Sequence, residues 1–310
     1  MNRRLKVQNP FIEKRTSPED AKKAFLRHCR VKNLSPKSIQ YYEEDITFFF
    51  NHVENISFVD EITLEVFEDF IGQQLDEGKK VSSLNTRIRG LRVFLNFCAE
   101  REYMEKLPIK LMKEDDNVKE TYTEAEVLRL LKRPRSDRWV EWRDWAAVNY
   151  LVATGNRAST VLNLRVKDID FENNLIFLSK LKNRRQQYIP LSPALKVVLT
   201  EYLKTWDSKP DDFLFASFTG NQMTVRSFEL TIKNYNISRG VTRTGLHLFR
   251  HYFAKQYVLA GGGLVQLQAL LGHSTLDMSK HYVNLYSKDL LANYGSMNPL
   301  DTIQQKAKTM

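Results

Sequence analysis

The chain has 310 residues and a mass of 36.3 kDa, which at roughly 100 to 200 residues per domain points to about two domains. With 42% hydrophobic and 27% charged residues, 12 Gly and 9 Pro, it is neither disordered nor fibrous in composition. No apolar run approaches the ~20 residues of a bilayer span, and the basic, polar N-terminus leads into no hydrophobic stretch, so neither membrane insertion nor secretion is expected.

Charge is unevenly spread. The net value is +10, yet residues 1–118 hold 20 basic and 20 acidic side chains, which leaves the whole excess to residues 119–310. A pI of about 9.4 makes nucleic acid the first partner to weigh, because neutralising phosphates releases condensed counterions. Cys29 and Cys98 are too few for a disulfide framework or a four-thiolate zinc site. Both sit in apolar-periodic segments and read as buried free thiols.

Residues 1–16 carry a cluster of basic side chains and read as a flexible arm. Residues 17–107 read as a helical domain. Ser17-Pro18-Glu19-Asp20 combines an N-cap, a proline at the first helical position and early acidic residues. Ser35-Pro36 repeats the signal ahead of Ile39, Tyr42, Ile46, Phe49, Phe50 and Val53, which recur at helical spacing. A third helix is expected from Thr63 to Glu77, ended by Gly78. The fourth runs from Ser82 to Glu100 and carries Arg87, Arg89 and Arg92, a candidate basic stripe for DNA or simply a solvated face. The polar, aperiodic residues 108–118 read as the interdomain linker.

A second domain is expected over 119–295, with a polar tail at 296–310. Thr123 followed three residues later by Glu126 is a capping-box signature for a short helix. The next helix holds Trp139, Trp142 and Trp145, a stripe that reads as core rather than as a base-stacking platform. Leu175 to Leu178 and Gln187 to Leu191 are β-rich runs flanking the basic stretch Ser179 to Gln186, which together predict a hairpin. The fold class is therefore mainly α with a small β-hairpin or sheet, an α+β arrangement.

The chemistry-bearing residues concentrate in 247–282, with four of the six histidines. His247, Arg250 and His251 share one helical face. A metal site is one reading, although the spacing is not His-Glu-x-x-His and no cysteine or acidic residue sits nearby. Imidazole beside guanidinium suits an anion better, since a phosphate wants donors that converge on its nonbridging oxygens. Leu270-Leu271-Gly272-His273 reads as a helix ended by glycine, and Tyr282 follows nine residues later. Upstream, Ala153-Thr154-Gly155-Asn156-Arg157 places an arginine just past a glycine turn, and the hairpin tip holds Lys180, Lys182, Arg184 and Arg185. Taken singly, each has a bland reading as packing, turn or solvated charge.

In this order and spacing these segments resemble the tyrosine recombinases of the phage-integrase type. Thr154-Gly155-Asn156-Arg157 resembles the block of that family's first arginine, and Lys182, eight residues before Pro190, its hairpin lysine. His247-Leu248-Phe249-Arg250 matches His-x-x-Arg, Leu271-Gly272-His273 matches Leu-Gly-His, and Tyr282 stands at the interval of the nucleophile. The resemblance implies a core-binding domain over 17–107 and a catalytic domain over 119–295, closing as a clamp around DNA. It implies that Tyr282 forms a 3′-phosphotyrosyl link, that Arg157, Arg250 and His273 stabilise the transition state, that Lys182 protonates the leaving oxygen and that His247 assists as base or by positioning.

Site-specific recombination, of the integration or excision type, then needs no metal, cofactor or ATP. Expected partners are double-stranded DNA with an inverted-repeat core site, three further copies of the chain in a synaptic homotetramer, with the tail of each on a neighbour, and an accessory DNA-bending or directionality factor. The expected setting is the cytoplasm of a bacterial or phage-infected cell, at the nucleoid. Lys180 remains an alternative to Lys182 because hairpin register is not fixed by sequence, and Tyr286 and Tyr294 are alternatives to Tyr282. Thr160 departs from the pattern, standing where the family usually has an acidic residue. That departure keeps a second function open, a catalytically silent, sequence-specific DNA-binding regulator on the same fold.

Overall fold

Ser17 accepts a hydrogen bond from the Asp20 amide at 3.1 Å, with Pro18 at the first helical position, and so starts helix α1 (Pro18–Val31). Ser35 does the same through Ser38 for α2 (Pro36–His52), and Thr63 through Val66 for α3 (Leu64–Asp76). Each cap satisfies a backbone donor that the helix itself leaves unpaired. The computed structural model describes residues 15–114, 121–179 and 186–272.

The chain divides into two units, 1–117 and 118–310. In the first, α1, α2, α3 and α4 (Val81–Glu100) pack around an aromatic core. Phe25 meets Phe94 edge-on at 5.5 Å, and Phe49 meets Phe70 at 5.0 Å, the offset geometry that ring quadrupoles favour. Cys29 and Cys98 are buried free thiols, as the sequence leads one to expect, and burial pushes the Cys98 thiol up to about 12. Residues 108–114 belong to this unit physically. Ile109 and Met112 pack on its core. Asn85 also clasps Met112 through two amide hydrogen bonds of 2.9 Å.

The second unit opens with α5 (Glu124–Leu130), whose capping box between Thr123 and Glu126 forms as expected. Helices α6 (Trp139–Thr154), α8 (Pro193–Leu203), α9 (Val225–Ser238) and α10 (Leu246–Leu259) enclose the main core, with the single turn α7 (Ala158–Val161) and α11 (Leu264–Leu271) beside them. Trp145 is buried, and Trp139 and Trp142 pack on the same core, the structural role expected of that stripe.

The sheet has three antiparallel strands, β1 (Ile169–Asp170), β2 (Leu175–Leu178) and β3 (Gln187–Pro190), in that order. Its register pairs Ile176 with Ile189 and Leu178 with Gln187. Ile176, Leu178 and Ile189 therefore face the core while Phe177 and Tyr188 pair on the outer side, 5.0 Å between ring centres. Among the described residues no helix is long and apolar enough to cross a membrane.

Candidate active site

The site is built where helices end. At the close of α6, the Thr154 hydroxyl donates to the Tyr150 carbonyl at 2.8 Å, and the Asn156 side-chain amide donates to the Tyr150 hydroxyl at 2.8 Å. Burial holds the Tyr150 phenol protonated, well above its ordinary range, although the Asn156 bond opposes the shift. Gly155 then turns the chain with φ +60°, and a Cβ there would lie 2.7 Å from the Phe253 ring and 2.9 Å from Leu271. Only glycine meets both demands. Arg157 follows in extended conformation, and its Nη1 lies 3.5 Å from the Gly272 carbonyl oxygen.

Helix α10 is anchored at its start by the segment that leads into α5. Thr121 donates to the Leu248 carbonyl at 3.1 Å, the Tyr122 and Phe249 rings lie 4.5 Å apart, and Arg243 grips Glu126 at 2.9 and 3.0 Å. The Tyr122 hydroxyl reaches the Arg243 carbonyl, and Asn236 reaches both. This network fixes the turn before His247 and, one helical turn on, Arg250.

Arg250 is only 5% exposed. Its Nη1 donates to the Gly155 carbonyl and its Nη2 to the Leu271 carbonyl, both at 2.9 Å. One guanidinium thus joins the C-terminal ends of α6 and α11, where unpaired carbonyls and the negative end of each helix dipole favour a cation. Gly272 closes α11 with φ +61°, as the Leu-Gly-His segment leads one to expect. Arg157 and Arg250 accordingly meet the consecutive carbonyls of Gly272 and Leu271. His247 lies on the same face as Arg250, exposed to solvent. The structure thus brings the Arg157 and Arg250 guanidinium groups to neighbouring carbonyls at the end of α11, and guanidinium groups are the side chains best suited to an oxyanion such as phosphate.

Thr160, at the position of the departure, is buried at 5% exposure, and its amide donates to the Arg157 carbonyl at 2.8 Å. Arg250 donates to two backbone carbonyls, and these bonds hold its guanidinium with a neutral threonine at 160. Lys182, Lys180, Arg184, Arg185, His273 and Tyr282 lie outside the described residues, as do the alternatives Tyr286 and Tyr294, the tail at 296–310 and all but the last two residues of the basic arm. Of that arm, Arg15 is paired with Asp60 and Glu61, each at 2.8 Å.

On α4 the three arginines do not form one stripe. Arg87 turns to α2, with its guanidinium 3.5 Å above the Phe48 ring and 3.5 Å from Asp45, whereas Arg89 faces Glu114 at 4.0 Å. Gln187, read from sequence only as the start of a strand, also donates its side-chain amide to the Ala269 carbonyl of α11 at 3.1 Å. That contact joins residues 82 positions apart and leaves no local pattern.

Comparison with known proteins identifies the family. Residues 120–289 match the phage integrase family, and residues 23–102 match its N-terminal SAM-like domain. The chain is 28% identical over 290 residues to the tyrosine recombinase XerC of Oceanobacillus iheyensis, covering 89% of this chain and 94% of that one. It is 24% identical over 287 residues to the tyrosine recombinase XerD of Staphylococcus aureus, covering 89% and 97%.

Among solved structures, the Tn1549 transposon integrase in complex with transposon right end DNA has 21% identity and a TM-score of 0.74, with 87% of this chain and 95% of that one covered. A lambda integrase tetramer bound to a Holliday junction has 15% identity and a TM-score of 0.69, with 87% and 78% covered. These likenesses bear out the expected fold class, and the recombinases and integrases named here lend nothing to the regulator reading. With the family match spanning more than half of its residues, the chain belongs to the phage integrase family and is a tyrosine-recombinase family enzyme.

Proposed function

We propose that the enzyme recombines double-stranded DNA at specific sites through a covalent 3′-phosphotyrosyl intermediate. The observation that carries this reading is the convergence of Arg157 and Arg250 on the two consecutive carbonyls that end α11, immediately before His273 in the sequence. Two guanidinium groups at that point suit the nonbridging oxygens of a phosphodiester, where charge builds during displacement.

In the proposed reaction the Tyr282 oxygen attacks phosphorus, an O–P bond forms and the bond from phosphorus to the 5′ oxygen breaks. The phenolic proton passes to His247, and Lys182 gives a proton to the 5′ oxygen, which leaves as a hydroxyl. Arg157, Arg250 and His273 donate to the nonbridging oxygens. Attack by a 5′-hydroxyl of another strand then reverses the step, so one phosphodiester replaces another without ATP, metal or cofactor.

Four copies acting on two duplexes, with an inverted-repeat core site and an accessory DNA-bending or directionality factor, fit the strand exchange this chemistry permits. The core-binding and catalytic domains each grip the duplex, and the tail at 296–310 packs on a neighbouring copy. Arg89, Arg92, Lys180, Arg184 and Arg185 contact the DNA backbone, with Arg87 held back by Asp45 and Phe48. The bacterial Xer relatives support action at the nucleoid, in the cytoplasm.

Covalent trapping tests the proposal. The full chain is mixed with nicked duplex fragments of its host or element DNA and denatured with detergent, and protein-linked DNA is measured beside a Tyr282→Phe control. An adduct that survives chelator and vanishes in the variant is expected, with DNA affinity unchanged. Cleavage by the variant would remove Tyr282 from its role, and loss of activity with chelator would point to a metal-dependent nuclease.

A further inference from the structure

Three side chains from separate parts of the unit reach the last turn of α11 and its cap. Its Leu271 carbonyl receives Arg250, its Gly272 carbonyl receives Arg157, and its Ala269 carbonyl receives the Gly272 amide at 3.0 Å. That Ala269 carbonyl also receives Gln187, at 3.1 Å. Gln187 is the first residue of β3, paired across the ladder with Leu178, the last residue of β2. The bond therefore attaches the hairpin to α11 at the level where its two strands stop.

Strand pairing fixes one arm of the hairpin to the other but not the hairpin to α11. A side-chain amide can do that, because glutamine holds a neutral donor at the end of a chain long enough to cross from sheet to helix.

We propose that Gln187 is a positioning residue that fastens the β3 arm to the cap on which Arg157 and Arg250 converge, and so sets the proton-donating end of the site against its phosphate-binding end. The inference rests on the proposed role of Lys182 as the proton donor to the leaving 5′ oxygen. Gln187 touches no reacting atom. Four residues separate it from Lys182 in the sequence, so on this proposal its removal slows the step that needs that proton and spares one that does not.

Sulfur provides the contrast. A thiolate leaves without being protonated, whereas an alkoxide does not, since the parent acids differ widely in acidity. A nicked duplex is prepared on a site selected by the full chain from random-sequence DNA, with the cleaved position mapped from the covalent adduct. It is then made in two forms, with oxygen or with sulfur at the bridging 5′ position. Adduct formation is timed for the parent chain and for Gln187→Glu, Gln187→Lys, Lys182→Ala and Tyr282→Phe.

Gln187→Glu keeps the shape and loses the donor, and it is expected to slow the oxygen substrate about tenfold, the effect of a hydrogen bond of ordinary strength, while cleaving the sulfur substrate at nearly the parental rate. Gln187→Lys restores a donor and is expected to recover most of the oxygen rate. Equal slowing on both substrates would overturn the inference by showing a general structural defect, and an unchanged oxygen rate would overturn it outright. Sulfur rescue of Lys182→Ala without rescue of Gln187→Glu would leave the lysine in its role and remove Gln187 from it. Absence of any Tyr282-dependent adduct from the parent chain would instead defeat the phosphotyrosyl reading, and the inference with it.

Discussion

Arg250 holds two helices together with the same guanidinium that the proposed reaction needs. At 5% exposure, with hydrogen bonds of 2.9 Å to the Gly155 and Leu271 carbonyls, it is part of the scaffold. Arg250→Ala is therefore expected to reduce the rate of adduct formation by about 10²- to 10³-fold, as loss of a transition-state donor does. It should also lower stability by about 2–4 kcal/mol, because two buried carbonyls lose their donor. Urea denaturation followed by tryptophan fluorescence reads the second effect, and a variant as stable as its parent would separate the arginine from its structural duty. Gln74 presents the opposite case. It is 1% exposed, and neither atom of its side-chain amide has a hydrogen-bond partner among the described residues. It lies on the α3 face of Phe67, Phe70 and Ile71, so Gln74→Leu should raise stability by about 1–3 kcal/mol. A lowered midpoint in the same titration would count against it.

Helix ends carry most of the local information in this chain. Gly155 ends α6 at φ +60° with no room for a Cβ, and Gly155→Ala is expected to cost about 2 kcal/mol or more, from the left-handed backbone and the crowding of Phe253 and Leu271 together. A smaller loss in thermal or urea unfolding would show that Phe253 can move aside. At the start of α5, burial acts to raise the Glu126 carboxyl, but the Thr123 amide and hydroxyl and the Arg243 guanidinium outweigh it and hold the group below its usual 4.5. A folded value below the unfolded one means that the unfolded chain takes up the proton first as pH falls. The stability Glu126 contributes is thus present above the ordinary carboxylate range and lost as pH drops through 4.5 and below. Glu126→Gln should be less stable than the parent by about 1–2 kcal/mol at pH 7, with the gap closing in acid; a constant gap would show that packing, not charge, is responsible. Such ends were legible in sequence because their code is local. Ser17, Ser35, Thr123, Gly155 and Gly272 each act within four residues. The strand β1 was not legible, being two residues long. Nor was the packing of Ile109 and Met112, whose aperiodic segment gains its order from Asn85 on α4. The convergence of Arg157 and Arg250 was expected only through resemblance, and the Gln187 bond not at all, because such contacts depend on the tertiary course of the chain.

Charge behaves differently at the scale of the whole molecule. Residues 1–117 balance their basic and acidic side chains, so the excess of +10 belongs to the unit that holds the active site. Within the neutral unit, the three arginines of α4 have different surroundings. At ~100° per residue Arg87 stands roughly 160° around the helix from Arg89, and it is already engaged by Phe48 and Asp45. Arg89 is more than half exposed and lies 4.0 Å from Glu114, an ion pair weak enough to exchange for a phosphate. The two should therefore respond oppositely when DNA binding is measured against salt. For the parent chain, 6 to 10 phosphate contacts would make affinity fall about 10³- to 10⁵-fold between 50 and 200 mM salt. Arg89→Ala should flatten the slope of log affinity against log salt by about one and weaken all sequences alike. Arg87→Ala should leave the slope unchanged and instead lower stability by about 1–2 kcal/mol, through the lost stacking and the buried Asp45 left without its cation. The reverse pattern, a flattened slope for Arg87→Ala and none for Arg89→Ala, would mean that DNA draws Arg87 out from between Phe48 and Asp45, and that the neutral unit rearranges its own ion pairs to bind.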